Sequence, residues 1–284
     1  MQSKAMDHFL ILVRDLQPAA ERYRRLGFHV RPSARHEDVG SANCVILFPD
    51  TYLELLWPGD GSVDAMHPYM DRFELGEGFA HMSLTSDLLE PDLEWARGKG
   101  VTPGPIMSAR RKVVLPDGRE EETASRFCYM WREDSRFLSI FYSDHARPET
   151  VFIPEYVDHP NSAQRVSRVV YMSCDPAGDR EYFSSLFKIA PQDDGQGGFS
   201  ITDPRGVVAE VLTKTAANAR YGDSLGTSSC EPFAGIGVAM HYSIESSDVC
   251  AQYLSENGVR FERSGATLVV PATEACGCIA VFEE

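Results

Sequence analysis

The hydrophobic and polar positions of the chain repeat one pattern four times. In the first copy, an apolar run from His8 to Val13 leads to Asp15. Apolar residues then recur at helical spacing as far as Gly27, a residue that suits a left-handed helix end. An aspartate before a helix can accept unpaired backbone N–H groups of its first turn. The same order of apolar strand, aspartate and amphipathic helix returns at three further aspartates, which are Asp87, Asp175 and Asp248.

Extended segments follow each predicted helix. They are rich in β-branched and aromatic residues and are broken by Gly, Pro and Asp, as strands joined by turns are. The segments are 30–35, 43–48 and 52–56 in unit one, 107–115, 126–131 and 137–142 in unit two, 198–202 and 207–212 in unit three, and 259–263, 268–270 and 278–282 in unit four. The pattern predicts an α+β fold of four βαβββ units, with curved, mostly antiparallel sheets and helices on their outer faces.

Residues 146–164 are predicted to link two domains. This segment contains Pro148, Pro154 and Pro160, which exclude a long helix or a central strand. We therefore expect an N-terminal domain at 1–145 and a C-terminal domain at 165–284. Each domain would be built from two of the repeated units.

Charge and composition narrow the possible partners and the compartment. The formal net charge is −15, which repels a phosphate backbone, so we expect no nucleic-acid partner. No apolar run approaches the roughly 18 residues that span a bilayer, and none resembles an export signal. The seven cysteines are scattered and do not suggest a disulfide framework. These features predict a cytoplasmic protein without a membrane partner.

Four segments carry a resemblance to a known family. They are the run from Asp7 to Asp15, Tyr52-Leu-Glu-Leu55, Ala80-His-Met-Ser-Leu84, and Asp203-Pro-Arg-Gly-Val-Val-Ala-Glu210. Together they resemble the vicinal oxygen chelate superfamily, and specifically its glyoxalase-like domain proteins, which include glyoxalases, bleomycin-resistance proteins and dioxygenases. The resemblance implies that two units close into a cup. Metal ligands would then lie on the first and fourth strands of each unit.

In the N-terminal half, the resemblance implies the metal ligands His8, Glu54 and His81. The fourth strand of unit two should supply another carboxylate, and there the chain departs from the family. Phe141 stands at that position, or Ser139 if the register shifts by one residue. Neither side chain is a good ligand for a divalent metal.

The C-terminal half fits the family pattern less well. Arg168 replaces the first histidine, Glu210 and His241 are present, and Ala280 or Phe282 stands at the last position. We expect this half to be a structural or pocket-forming domain without a metal.

Two histidines and one carboxylate from three strands form a facial set that can bind Fe, Mn, Zn or Ni and leave positions open. The missing fourth ligand favours dioxygenase-like chemistry over a strict glyoxalase I reaction, in which a second glutamate would also act as a base. Each histidine, taken alone, could instead be a half-buried residue at a strand end. Substrate-binding residues are predicted at Asn43, Arg126, Tyr129, Ser139, Phe141 and His145, while Arg35, His36 and Trp131 are further candidates for the cup wall.

Two functions remain open at this point. The first is a metal-dependent lyase, isomerase or extradiol-type dioxygenase acting on a small aromatic or carbonyl-bearing metabolite. The second is a non-catalytic protein of the bleomycin-resistance type that sequesters a flat ligand. A module that only dimerises is a third and weaker reading, and a homodimer is compatible with each.

Overall fold

The computed structural model describes residues 2–60, 69, 73–132, 140–226, 228 and 235–284. The predicted site residue Ser139 and part of the strand expected at 137–142 lie outside these described residues. The strands of the described chain form two mixed sheets, each with eight strands.

The first sheet is built from the N-terminal half. In chain order its strands are β1 (Met6–Leu12), β2 (Ala34–Arg35), β3 (Ala42–Leu47), β4 (Tyr52–Trp57), β5 (Gly78–Thr85), β6 (Met107–Val114), β7 (Glu120–Met130) and β8 (Ile140–His145). Their order across the sheet is β2-β3-β4-β1-β5-β8-β7-β6. Strand β1 pairs in parallel with β4 and antiparallel with β5, so the first strands of units one and two meet at the centre.

The second sheet repeats this arrangement with the C-terminal half. Its strands are β9 (Ala163–Ser173), β10 (Gln192–Asp193), β11 (Phe199–Thr202), β12 (Val208–Thr213), β13 (Gly235–Ile244), β14 (Glu262–Ser264), β15 (Thr267–Val270) and β16 (Ile279–Glu283). Their order is β10-β11-β12-β9-β13-β16-β15-β14. The predicted α+β class and the four βαβββ units are confirmed. The division at residues 146–164 stays a prediction.

The α-helices that lie wholly within the described residues are α1 (Leu16–Arg25), α2 (Leu89–Gly98), α3 (Pro176–Phe187), α4 (Lys214–Tyr221) and α5 (Ser247–Glu256). Two of the four aspartates cap them as expected, since Asp15 accepts from the N–H of Gln17 and Asp175 from that of Gly178. Asp87 and Asp248 do not. Helix α2 has no side-chain cap, and Ser246 takes this role in α5, which leaves Asp248 inside the first turn.

The two sheets share one hydrophobic core. One face of each sheet packs with α1, α2, α3 and α5 into a continuous apolar cluster. Aromatic rings meet across the two halves, with Phe79 4.8 Å from Tyr171 and Phe28 4.9 Å from Tyr242 between ring centroids. The opposite face of each sheet carries separate clusters. In the first sheet, this opposite face positions the candidate site.

In the described part of the chain, no helix combines the length and the apolar character that crossing a bilayer requires.

Candidate active site in the N-terminal cup

The free face of the first sheet bounds a cavity that we call the N-terminal cup. It contains about 680 Å³ of empty space, part of it open to solvent. Its wall is formed by alternate residues of the strands, together with His36 and Val151 from the connecting segments. Successive strand residues point to opposite faces, so the sheet sends one set of side chains, which includes polar residues such as Asn43 and Glu54, into the cup and the alternate, apolar set into the shared core.

A bulge at the start of β1 turns two adjacent side chains towards each other. The register of β1 against β5 shifts between Met6 and His8, which leaves Asp7 as the extra residue. Such a bulge re-aims the side chains around it. The Asp7 carboxylate lies 2.6 Å from Nδ1 of His8 and 2.8 Å from Nε2 of His145, both through Oδ1.

Asp7 is a buried carboxylate held by two imidazoles. Burial alone would raise its pKa, but the charge and hydrogen bonds of His145 and His8 outweigh burial and hold the pKa well below its usual range. His145, which also contacts the Ser125 hydroxyl at 2.7 Å, shows the reciprocal effect. Burial lowers its pKa, yet the adjacent Asp7 raises it above the ordinary value. Asp7 is therefore ionised and accepts a hydrogen bond from an N–H group of each ring.

Glu54 lies diagonally beside His8, on the adjacent strand β4. Its neighbours Leu53 and Leu55 are buried in the shared core, so the alternation of β4 sends Glu54 to the other face. The Asn43 amide donates to Oε1 of Glu54 at 2.8 Å. Oε2 of Glu54 lies 3.8 Å from Nε2 of His8, and Nε2 of His36 lies 4.0 Å from Oε1.

His81 lies on the same face of the sheet as His8 but has different neighbours. In the β1–β5 ladder, His8 is opposite Ser83 and His81 is opposite Leu10, so the two histidines are diagonal neighbours. The ring of His81 is fully buried, with its centroid 5.2 Å from both Tyr69 and Trp131. The structure thus brings His8 and Glu54 together and packs His81 into an adjacent aromatic cluster.

Four of the predicted substrate-binding residues line the N-terminal cup, namely Asn43, Tyr129, Phe141 and His145. Arg126 does not. Along β7, the cup-facing residues are Ser125, Phe127 and Tyr129, and the alternation turns Arg126 outward to pair with Glu90 of α2.

Three further cup residues were not anticipated from the sequence. In the sequence, Asp7 belongs to the motif from Asp7 to Asp15 but is not predicted as a site residue, because regular alternation puts it on the opposite face of the strand from His8. Tyr52 stacks on the His8 ring at 4.3 Å between centroids, and burial keeps its phenol pKa well above the ordinary value. Arg111 stands in the charged run Arg110-Arg111-Lys112, which is typical of an exposed hairpin, and the alternation of Ala109, Arg111 and Val113 along β6 is the signal that it points inward.

Nε2 of His8 and the carboxylate of Glu54 suit a divalent metal. Nitrogen and oxygen ligands bind such ions at about 2.1 Å, so two of them lie at most about 4.2 Å apart, and the observed 3.8 Å is within this limit. Both groups are oriented from behind, His8 by Asp7 and Glu54 by Asn43. Among the described residues, Asp7, His8 and His145 also bring ligand-type atoms within 4.8 Å of one another. The engagement of Asp7 Oδ1 by two imidazoles suits this carboxylate to a supporting position.

The corresponding face of the second sheet is arranged differently. Glu210 pairs with Arg168 at 2.8 Å and with both terminal nitrogens of Arg220 at 2.6 and 3.0 Å. His241 lies 2.9 Å from the Tyr221 hydroxyl and 3.0 Å from Glu283. Helix α4 supplies Arg220 and Tyr221 and packs its apolar residues over this face. The two ligand-type side chains of this half are thus engaged by neighbouring residues.

Comparison with known proteins agrees with this architecture. A family model described as a glyoxalase-like domain matches residues 6–187, more than half of the chain. A search of curated proteins finds no significant match.

Solved structures with a similar fold include a hypothetical protein from Staphylococcus aureus, with a TM-score of 0.66 and 9% identity over 98% of each chain. A mutant of 4-hydroxymandelate synthase from Streptomyces coelicolor gives a TM-score of 0.62 and 10% identity over 99% of this chain and 92% of that one. A xylose isomerase-like TIM barrel/4-hydroxyphenylpyruvate dioxygenase fusion protein gives 0.54 and 12%, over 99% and 49%. At such low identity these likenesses show the fold. The family model, which matches more than half of the chain, shows that the chain belongs to the glyoxalase-like domain family.

Proposed function

We propose that the N-terminal cup is a metal-dependent active site, and that the protein is a lyase, isomerase or dioxygenase-type enzyme acting on a small aromatic or carbonyl-bearing metabolite. The observation that carries the proposal is the aligned chain Asp7–His8–Glu54–Asn43. An ionised carboxylate orients the imidazole, whose free nitrogen faces a second carboxylate that is itself held by an amide.

In this proposal, neighbouring residues orient the His8 imidazole for metal binding. Asp7 accepts a hydrogen bond from the Nδ1–H group of His8. This contact fixes the tautomer and leaves the lone pair of Nε2 available to a metal. Tyr52 stacks on the ring of His8, and Phe141 meets its edge at 5.1 Å, so the imidazole plane is held on both sides.

His8 and Glu54 would hold the metal, with His81 as the predicted third ligand and Fe, Mn, Zn or Ni as the candidate ions. A bound divalent ion would supply Lewis-acid stabilisation of an enolate or catecholate oxygen pair. The Phe127, Tyr129 and Phe141 rings line the cup and provide an apolar surface for a flat substrate. They also exclude water from the reacting atoms.

The second candidate is a binding protein that sequesters a flat ligand without chemistry. Phe141 favours this alternative, because an aromatic ring stands where the family places a fourth ligand. Under this alternative, the polar chain around Glu54 would only satisfy buried groups, and neither metal nor turnover would depend on it.

Replacing Glu54 by Gln tests the proposal. The amide keeps the volume and can still accept from Asn43, but it is a poor metal ligand, so we expect the variant to fold and to lose its metal. Elemental analysis of protein purified without an affinity tag or chelator should give about one equivalent in the wild type and little in the variant. Asp7→Asn should weaken metal affinity by about 10- to 100-fold, since it removes a supporting contact.

The matched control is Glu90→Gln, which changes an exposed glutamate on α2 and should leave the metal content unchanged. Equal metal content in Glu54→Gln and the wild type would contradict the ligand assignment. Failure of the wild type to take up any of the four ions on reconstitution would favour the sequestering protein.

A further inference from the structure

The wall of the N-terminal cup includes a cationic side chain, Arg111, that takes no part in the proposed metal site. Arg111 lies on β6, between Ala109 and Val113 on the cup-facing side, and is only 9% exposed. Its neighbours along the strand, Arg110 and Lys112, point to solvent. Because side chains alternate between the two faces of a strand, the Arg111 guanidinium points into the cavity.

No carboxylate of the described residues comes within ion-pair distance of Arg111. Arg110, by contrast, is paired with Asp38 at 3.0 Å. Glu54 acts on Arg111 only through a longer-range charge interaction and is already held by Asn43. A buried guanidinium keeps its charge, and burying a charge without a partner is costly. Such an arrangement persists where a bound ligand supplies the partner.

We infer that Arg111 is the subsite for the anionic group of the ligand, and that the cup takes a small monoanionic carboxylate on a flat unsaturated body. The planar fork of a guanidinium matches a carboxylate in a bidentate contact. The Phe127 and Tyr129 rings, which line the same cavity, suit the flat body. The inference rests on the proposed function only in taking this cavity as the substrate site.

Charge in the cup favours a monoanion over a phosphate dianion. Glu54 faces the same space as Arg111, and the ionised Asp7 lies directly behind His8 and His145, so a second negative charge on the ligand would be repelled. Arg111 also borders an adjoining groove with Arg31, Arg35 and Lys112, which contains Glu37 and Glu120 as well. The protein as a whole carries a net charge of −15 and repels anions. The excess of basic residues in this groove attracts an anion locally and leads it to the cup.

Binding of three probe compounds to metal-free protein tests the inference. Benzoate carries the carboxylate, benzamide has the same shape without the charge, and phenyl phosphate carries the dianion. Calorimetry on the full chain after chelator dialysis should show benzoate binding more tightly than either of the others. Arg111→Gln should weaken benzoate binding by at least about tenfold and leave benzamide unchanged, because a charged hydrogen-bonded contact is lost.

Arg110→Gln is the matched control, since it removes an equal charge from the next residue on the outer face, and it should bind all three probes as the wild type does. Thermal unfolding separates a ligand subsite from a structural role. A guanidinium that stabilised the fold would lower the melting temperature when removed, whereas loss of an unpaired buried charge should leave it unchanged or raise it. Arg111→Lys keeps the charge but lacks the planar guanidinium, so we expect it to bind benzoate several-fold more weakly than the wild type. This variant replaces Arg111→Gln in the test if the Gln variant does not fold.

Three results would overturn the inference: wild-type protein that binds benzoate no better than benzamide, tighter binding of phenyl phosphate, or an Arg111→Gln variant that keeps full benzoate affinity. The outcome is separable from the proposed function, because these measurements use no metal. Metal retention that depends on Glu54 would stand if benzoate selection failed, and Arg111-dependent selection would stand if no metal bound.

Discussion

At the scale of single residues, one inserted residue decides the geometry of the candidate site. Without the bulge at Asp7, strand alternation would send this carboxylate into the shared core, where its charge would be unpaired. With the bulge, Asp7 lies beside His8 and His145 and stays ionised. The same alternation, unbroken on β6, turns Arg111 inward and Arg110 outward. Adjacent residues of the same type can therefore have opposite roles.

His159, a buried residue between the two halves, makes stability depend on pH. Its Nδ1 accepts from the N–H of His29, so Nε2 carries the proton that is donated to the carbonyl of Leu47. Burial lowers the pKa of His159 from 6.5 to about 4, although the Leu47 carbonyl favours the charged form. Between these values the unfolded chain binds a proton that the folded chain does not. The contribution of neutral His159 to the free energy of unfolding is therefore complete above pH 6.5 and is lost as the pH falls towards 4.

The expected loss is about 3 kcal/mol, from 1.36 kcal/mol for each unit of the pKa difference. Urea unfolding of the wild type and His159→Gln at pH 7.5, 6 and 4.5 measures it. The stability advantage of the wild type should shrink at each step. Parallel pH profiles for the two proteins would show that His159 does not carry this dependence.

At the scale of secondary structure elements, turns tie one half of the chain to the other. The turn before β12 begins at Asp203, whose carboxylate accepts from the N–H groups of Arg205 and Val207 at 2.9 and 2.8 Å. Its other oxygen accepts from the N–H of Met6 at 2.7 Å. The start of β1 is therefore held by a turn almost 200 residues away, and the position of the strand that carries Asp7 and His8 depends on it.

Asp203→Ala should lower the free energy of unfolding by about 2–4 kcal/mol, since three backbone donors lose their acceptor in a largely buried place. Asp194→Ala is the matched control. Asp194 accepts from the N–H groups of Gln196 and Gly198 in an exposed turn, and its loss should cost about 1 kcal/mol or less. Equal losses in chemical denaturation would contradict the role of the Met6 contact.

At the scale of the whole molecule, the halves pack too closely in places to admit a methyl group. Gly277, just before β16, has φ +77°, and a Cβ there would lie 2.1 Å from the carbonyl oxygen of Glu77 in the other half. On β13, a Cβ at Gly237 would meet the Phe79 ring at 2.5 Å. Glycine is required at Gly277 because the Glu77 backbone approaches it, and at Gly237 because both the buried Phe79 ring and the Phe79 carbonyl oxygen, at 2.8 Å, approach it.

Gly277→Ala should destabilise the protein by roughly 3 kcal/mol or more, because both the positive φ and the overlap with Glu77 are unfavourable. Gly265→Ala separates the two causes. Gly265 has φ +61° and open space where the Cβ would go, so this change should cost about 1 kcal/mol for the backbone alone. Thermal unfolding of both variants measures the difference. Equal shifts would mean that the interface can relax around the added methyl group.

Local pattern was sufficient for the elements that repeat along the chain. The four βαβββ units, the α+β class and the placement of Glu54 on the face opposite Leu53 and Leu55 all follow from alternation and helical spacing, which act within a few residues. Boundaries were less accurate. β7 begins at Glu120 rather than 126, and its first residues are charged because that end of the hairpin is exposed.

The tertiary structure decided what depends on contacts between distant segments. It alone determined the bulge at Asp7, the aromatic neighbours of His81, and helix α4, which packs over the second sheet and leaves its Glu210 engaged by arginines. Side-chain direction along a strand is set by the period of the backbone, and the sequence displays that period. The partners that a side chain meets are set by the pairing of strands far apart in the chain, and the sequence does not display that pairing.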